Sequence, residues 1–541
     1  VNRDELPILN VNPLLTGLPF DRLRPAQADA VLRALRAYED GAKLVIIDAP
    51  TGSGKTLIAE VIRRMLRVRG TFVCSGKDLQ RQFADDFNAP ILMGRDNYLP
   101  TALAEWQRDL TCQDCLGQDC GLCHDREECP YEVAKAEADA APIAALNAHY
   151  WLNSVKTRKS PWYMRGLTII DECDTLESVL MSMAEVYISD YSARQWKIEP
   201  PRRMTWDSAM KDGAWVEWCL HARNRLRVQA QKLRASEVLT HKQLRALNRI
   251  RGLQGAIAAM QMDCEKGEDP WVYTGGAGSE KRNGAQIAFK PVMVDRVAKT
   301  AVWPNDALFL LMSGTVISPD MMAKELGWEG TYGYIQVPSS YPVKNRQVIV
   351  RPVADMSRKG QDEGGLDRVL TEIVRLVKEH EGRSVLVHAV SYQLARSIVE
   401  RLSEGMVGRG IFHYKSAGER AEAIDAFKLH PGGVLVAPSA ERGIDLPDDL
   451  CRVQIVAKVP FPYLGDQQVA ARLHARNGSM WYQVQVARTV MQMVGRGVRH
   501  QEDWAFTYVL DAQFRRHWDA WSQLYPAWFR KAVRFEQERV G

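Results

Sequence analysis

The sequence predicts an α/β protein made of two successive α/β halves, and three observations carry that prediction. First, the apolar run Leu44-Val45-Ile46-Ile47 leads into a glycine-rich segment, Asp48 to Thr56, and then a helix-like run, Leu57 to Ile62. Strand, phosphate-cradling loop and helix is the setting a P-loop requires. Second, short apolar strand signals alternate with helical runs again from Val348 to Leu510, as in sheets with helical crossovers. Third, two stretches break the rhythm. Five of the ten cysteines crowd between Cys112 and Cys129, and the chain from 175 to 306 lacks the α/β rhythm, its middle reading as helical hairpins.

The 541 residues are 46% hydrophobic and 25% charged, which is globular composition with room for several domains. A net charge of +5 suits a polyanionic partner but is too mild to demand one. No apolar run approaches the roughly 18 residues of a membrane span, and no basic start precedes an apolar core. The expectation is a cytoplasmic protein with no membrane attachment, in which clustered cysteines mean a metal or cluster rather than disulfides. Val1 in place of Met suggests an alternative start codon and a bacterial or phage gene, with a trimmed chain as the alternative.

Taken in order, Arg24-Pro25-Ala26-Gln27 precedes the P-loop, where the Gln27 amide is suited to reading an adenine edge in two directions. Pro50, Thr51, Gly52, Ser53 and Gly54 turn backbone N–H groups inward as an anion nest. Lys55 is expected to reach the β/γ-phosphates of ATP, and the Thr56 hydroxyl to ligate Mg²⁺. Thr71 to Cys74 reads as the next strand, ending in Ser75-Gly76-Lys77, with a helix from Leu79 to Phe83. Leu167 to Ile170 is a third strand and ends in Asp171-Glu172-Cys173-Asp174. A strand-ending Asp-Glu is usually a solvated turn. After a P-loop it suits Mg²⁺ binding by Asp171 and polarisation of the attacking water by Glu172.

Between 223 and 251 nine Lys/Arg face one acid, Glu237, while Leu244, Leu247, Ile250, Leu253 and Ile257 mark one apolar helical face. Thr240 is positioned to cap that helix. Such charge runs are usually solvated faces; this one is lopsided enough to propose Arg223, Arg227, Arg234, Arg245 and Arg249 as nucleic-acid backbone contacts. Trp196, Trp206, Trp215 and Trp218 read as core. Met312-Ser313-Gly314-Thr315 closes the first half. The second half has no P-loop and ends in an aromatic helix around Trp518, Trp521, Tyr525, Trp528 and Phe529. Within it, Gln492-Met493-Val494-Gly495-Arg496-Gly497-Val498-Arg499 sets two arginines three apart, expected on one helical face. Their fixed charge and forked geometry suit phosphoryl transfer.

Gln-x-x-Gly-Arg-x-x-Arg resembles the arginine-finger motif of superfamily 2 helicases, and Ala440 to Asp445 resembles their preceding coupling motif. Within that superfamily the chain resembles the XPD/DinG branch of iron–sulfur DNA helicases. Gly94-Arg95-Asp96-Asn97-Tyr98 looks like that branch's lead-in to its cluster, and Cys129-Pro130-Tyr131 like the closing element. Leu146 to Leu152, Phe289-Lys290-Pro291 and Val337 to Pro342 are similar as well. The resemblance covers nearly the whole chain.

It implies two RecA-like motor domains, residues 1–315 and 316–541. The first would carry a cysteine-rich insertion (94–135) and a helical, arch-like insertion (180–300). It implies an ATP-dependent helicase acting on single-stranded and forked DNA, of 5′→3′ polarity and monomeric; a translocase that does not separate strands is the alternative. Lys55, Glu172, Gln492, Arg496 and Arg499 would be catalytic. Gln27, the P-loop, Gly443 and Asp445 would bind ATP, and Thr56 with Asp171 would hold Mg²⁺. Four of Cys112, Cys115, Cys120, Cys123 and Cys129 would hold a [4Fe–4S] cluster, with zinc open as the alternative. Little chain precedes Gln27, so no N-terminal nuclease domain is expected. Two departures stand out: Pro100 where the branch has a cysteine, and Asp174 where it has histidine.

Overall fold

In the computed structural model the described residues are 15–18, 20–101, 110–114, 127–156, 159–235, 240–268, 270–275, 286–303, 307–406, 408–438, 444 and 446–536. The first half contains β1 (Leu44–Asp48), β2 (Gly70–Cys74), β3 (Ile91–Leu92), β4 (Ile143–Asn147) and β5 (Leu167–Asp171). After an interruption holding β6 (Val186–Ile188), β7 (Trp271–Tyr273) and β8 (Ile287–Pro291), it resumes with β9 (Leu308–Ser313) and β10 (Tyr332–Gln336). The first sheet has the order β10-β1-β9-β5-β2-β4-β3, with parallel pairings. Its strands are apolar on both sides because both faces are covered. Leu44 and Ile46 pack into one core layer, and Val45 and Ile47 into the other.

The second sheet contains β11 (Arg346–Ala354), β12 (Val385–His388), β13 (Ile411–His413), β14 (Val434–Ala437), β15 (Val453–Val456), β16 (Ala505–Asp511) and β17 (Val533–Phe535). Its order is β13-β14-β12-β15-β16-β11-β17, again parallel. The fold is therefore two parallel-sheet α/β domains of the RecA-like kind. The aromatic tail packs as expected: Phe514, Tyr525 and Phe529 are buried against the second sheet.

One boundary moves. The first sheet does not stop at 315, because β10 pairs with β1 in register Leu44↔Tyr332 to Asp48↔Gln336. The strand was missed because Tyr-Gly-Tyr-Ile-Gln is only partly apolar, as an edge position permits. Gly333 belongs there: a Cβ would lie 2.7 Å from that of Ala37 on the helix Pro25–Glu39.

The interruption after β5 is a unit of its own. Helices Ala214–Arg234 and His241–Lys266 pack as a hairpin over the antiparallel sheet β6-β8-β7. Leu247, Ile250, Leu253 and Ile257 are buried along the expected stripe, with Trp196, Trp215 and Trp218 in the same core and Trp206 packed against it. Thr240 caps the second helix, accepting from the Gln243 N–H in a capping box. The three-stranded sheet had no sequence signal, since two of its strands are only three residues long.

Candidate nucleotide site and nucleic-acid interface

Parallel register places the site. Ligand-bearing loops of such sheets lie beyond the carboxyl ends of the strands. Here β1, β2, β5 and β9 end at Asp48, Cys74, Asp171 and Ser313, side by side. After β1 the loop turns through Gly52 and Gly54, at φ +75° and +76°. Gly54 opens the helix Lys55–Leu66 with no side-chain cap, so the first N–H groups of that helix are left for an anion. A Cβ on Gly54 would sit 2.3 Å from Gln27 Nε2.

That contact gives Gln27 a structural role. Its amide donates to the Ser53 carbonyl at 2.9 Å and accepts from the Arg24 N–H at 2.8 Å, and the side chain is buried. Arg24 in turn donates to the Gly52 carbonyl. In this conformation the Gln27 amide braces the P-loop, using one of its two N–H donors and one of its two acceptor sites.

Asp171 is buried, and its Oδ1 accepts the Glu172 N–H at 3.0 Å. Burial pushes its carboxyl pKa upward against the pull of Lys55. Burial likewise pushes Asp48 up to about 6, opposed by bonds from Gln336 and Tyr334 and by Lys55. Asp48 and Asp171 thus both lie in the field of the Lys55 ammonium, with Glu172 adjoining Asp171. This oxygen-rich surplus of negative charge fits a hard divalent cation such as Mg²⁺. Glu172 takes φ +48°, ψ +44°, a left-handed backbone costing on the order of 1–3 kcal/mol for a non-glycine residue. Its carboxylate accepts from Ser75 Oγ at 2.8 Å.

The second domain faces this loop. Gly495 lies over Thr51: a Cβ on it would be 3.9 Å from Thr51 Oγ1. Tyr341 donates its hydroxyl proton to the Arg499 carbonyl and lies so close to Gly52 that no side chain fits at 52. Arg496 Nη1 and Arg499 Nη2 both donate to the Ile444 carbonyl, at 2.9 and 3.1 Å. The two arginines converge as expected, but not on a helical face. The helix Gly478–Val494 ends before them, and they meet through the following turn. Gly497 is needed in that turn, where a Cβ would lie 2.5 Å from that of Ala505. Gly443 and Asp445 lie outside the described residues.

Asp174, the departure from the resembled pattern, ties the halves together. It accepts from Ser313 Oγ (2.6 Å) and Thr315 Oγ1 (3.2 Å) of its own domain and from Gln492 Nε2 (2.7 Å) of the other. Gln492, expected to position the attacking water, is engaged with Asp174 and Thr315 here.

The cysteine segment is described at its two ends. Cys112 and Cys129 are buried with Sγ atoms 3.9 Å apart; Cys115, Cys120 and Cys123 lie outside the described residues. The Cys112 N–H donates to the Tyr98 carbonyl. Cys112 therefore reaches the Asn97-Tyr98 turn although Pro100 occupies the nearby chain position. Arg95 stacks over Tyr131 and pairs with Glu132, so the Gly94–Tyr98 and Cys129–Tyr131 segments are packed together. Two adjoining buried thiols fit a thiolate-bound metal group. Beside them is a polar cavity of about 640 Å³ whose lining includes Lys77, Asn97, Asn147 and His149. A second, of about 550 Å³, includes Asn248 and Arg249 of the helical insertion.

Of the proposed backbone contacts, Arg227, Arg234 and Arg249 are exposed, with Arg249 over the Trp196 ring. Arg223 is half-buried and donates to Gln261. Arg245 is held by both oxygens of Asp114, at 2.5 and 2.6 Å, and so joins the helical insertion to the cysteine segment. Sequence reasoning missed Ser75, Tyr341 and the bridging role of Asp174. The strand end at Cys74 signalled a ligand loop but not a partner for Glu172.

A P-loop on one parallel-sheet domain, met by paired arginines from the next, is a split site suited to a nucleotide. Family comparison agrees in each half. Residues 21–175 match the "type III restriction enzyme, res subunit" family, and residues 373–532 match the "helicase C-terminal domain" family. Among curated proteins, the Fanconi anemia group J protein homolog of Gallus gallus is 24% identical over 42% of this chain and 21% of its own. The regulator of telomere elongation helicase 1 of Bos taurus is 27% identical over 33% and 17%. The matched regions span about a fifth of those relatives. Among solved structures, an XPD helicase superposes with a TM-score of 0.62 at 15% identity, covering 96% of this chain and all of that one. The S. tokodaii Xpd4 structure gives 0.55 at 14%, covering 95% and 100%. Residues 373–532 are thus similar to a helicase C-terminal domain, and the fold of the whole chain is similar to that of the XPD structures.

Proposed function

We propose that this chain is an ATP-dependent DNA helicase that translocates on single-stranded DNA and unwinds duplex, with 5′→3′ polarity. The observation that carries the reading is the approach of the 492–499 segment to the P-loop, with Gly495 over Thr51 and the two arginines gathered on the Ile444 carbonyl nearby in the chain's fold. Lys55 and the loop N–H groups hold the phosphates. Thr56 and Asp171 would hold Mg²⁺, which neutralises phosphate charge when bound. Glu172 accepts the proton of the attacking water, and Arg496 and Arg499 stabilise the equatorial charge. Because donors come from both domains, hydrolysis is tied to closure, and closure moves whatever grips the strand. The polar cavities beside the cysteine segment and the exposed arginines of the helical insertion supply that grip.

Cys112 and Cys129 would be two ligands of a [4Fe–4S] cluster, completed from Cys115, Cys120 and Cys123. One observation favours zinc as the second reading: 3.9 Å between sulfurs is about the edge of a ZnS₄ tetrahedron built on bonds of ~2.3 Å. Anaerobic purification with an absorption spectrum and metal analysis separates the two, since about four irons per chain or one zinc is expected. The chain is further proposed to act as a monomer in the cytoplasm on forked DNA. Among the described residues no helix is long and apolar enough to cross a membrane. The functional test is strand displacement on forked, 5′-tailed and 3′-tailed duplexes. Displacement of the 5′-tailed and forked substrates, lost in Lys55→Ala, is the expected result. ATP turnover without displacement of any of them would leave a translocase.

A further inference from the structure

We propose that Ser75 is a positioning residue that holds Glu172 idle until nucleic acid occupies the neighbouring cavity. The inference rests on the motor reading above. β2 and β5 are adjacent parallel strands in register Val73↔Ile170, so Ser75 and Glu172 emerge next to each other beyond the strand ends. The Ser75 hydroxyl donates to Glu172 Oε2 at 2.8 Å, and both residues are half-buried. A hydroxyl bond to a carboxylate is charge-assisted and fixes which way the carboxylate faces. Here it directs Glu172 toward the end of β2 rather than leaving it to the attacking water.

The same short segment reaches the other site. Asn147 Nδ2 donates to the Ser75 carbonyl at 3.4 Å, and Lys77, two residues on, donates to Asn97 Oδ1. Asn147, Lys77 and Asn97 all line the 640 Å³ cavity. One end of the 75–77 segment therefore touches the general base, and the other faces the space open to a polyanion. A nucleic-acid phosphate that draws Lys77 away from Asn97 shifts the segment, breaks the Ser75 bond and frees Glu172. The arrangement makes hydrolysis conditional on an occupied cavity. It uses one hydroxyl and asks no motion of the sheet.

The test measures ATP turnover of the full chain with and without single-stranded oligodeoxythymidylate, for wild type, Ser75→Ala and Ser75→Thr. In Ser75→Ala, turnover without DNA is expected to rise roughly tenfold, the worth of a hydrogen bond to a charged group. The KM for ATP and the DNA-saturated rate should stay near wild type, so that stimulation by DNA collapses. Ser75→Thr keeps the hydroxyl and should restore the wild-type ratio. Unchanged DNA-free turnover in Ser75→Ala, or an equal fall with and without DNA, overturns the proposal and leaves the motor reading intact. A wild-type chain that shows no DNA-stimulated turnover overturns both.

Discussion

The two parallel-sheet domains are built alike and contribute differently to the site. The first supplies Asp48, Ser75, Asp171 and Ser313, each at or just past a strand end, so strand register alone brings them together. The second supplies Gln492 from the end of a helix, bonded to Asp174, and Arg496 and Arg499 from the turn after it, gathered on the Ile444 carbonyl. One half of the site is set by a sheet. The other half depends on a turn and on how the domains meet. A sheet holds its groups whether or not ligand is present, whereas a turn at an interface can be assembled and released in each cycle.

The sharpest way to break this comparison is to remove charge from each side. Lys55→Ala takes away the cation fixed by the first sheet, and ATP hydrolysis should fall below detection while single-strand binding remains. Arg496→Ala removes a cation supplied across the cleft. It should cost on the order of 10³-fold in kcat, with ATP binding far less affected, because its charge is needed mainly in the transition state. Steady-state turnover together with equilibrium binding of a fluorescent ATP analogue reads both. An Arg496→Ala enzyme that loses affinity and rate equally would place this arginine in ground-state binding instead.

The same contrast explains how much was legible. The P-loop, the Asp-Glu pair and the Ser-Gly-Thr segment end strands recognisable from apolar runs, so their meeting follows from a parallel sheet. The arginines were readable as a pair, yet not as residues of a turn, because Gly495 and Gly497 break a helix that spacing alone continues. The bracing role of Gln27 was hidden for a related reason: its amide suits both adenine and a backbone, and only the fold shows the bond to the Ser53 carbonyl. The strand β10 and the small antiparallel sheet escaped because short or edge strands carry little apolar signal. Ser75 carried no signal as a partner of Glu172, since the two lie 97 positions apart and are brought together by register.

Titration separates the domains next. Burial pulls His388 and His517, both of the second domain, down to about 4. A buried neutral histidine costs stability as pH falls, because the unfolded chain takes up its proton near 6.5 and the folded one only near 4. The second domain should therefore lose up to about 3 kcal/mol per histidine between those limits. Asp48 of the first domain has the opposite sign. Its raised pKa means that the folded state binds the proton first, so its contribution improves as pH falls through about 6 toward 4. Thermal unfolding followed from pH 7 to 4.5 should show the second domain melting earlier as the solution is acidified, and His388→Gln should reduce the shift.

The bridge between domains comes third. Asp174 receives hydroxyl bonds from one side and an amide bond from the other, so Asp174→Asn must turn an NH₂ toward one set of donors. The loss is about one charge-assisted bond, roughly tenfold in DNA-stimulated turnover. If the bridge serves closure, the fall should appear in kcat, with the DNA-free rate little changed.

The smallest effects separate arginines of the helical insertion, where the paired and exposed residues should differ. Arg249→Ala removes an exposed cation beside the second cavity. It should weaken single-stranded DNA binding a few-fold at low salt and reduce the slope of log K against log salt by about one. Arg245 is already neutralised by Asp114, whose carboxyl is held below its ordinary range chiefly by the hydrogen bond from Arg245. Arg245→Ala should therefore change the salt slope little. Its cost should fall on the join between insertion and cysteine segment, at about 1 kcal/mol or less because Arg245 is half-exposed. Asp114→Asn discriminates further: it leaves the arginine charge but removes its partner, so the slope should steepen as Arg245 becomes available to phosphate. Equal slopes for Arg245→Ala and Arg249→Ala would mean that DNA takes Arg245 from Asp114 on binding, making the join a contact that opens for the strand.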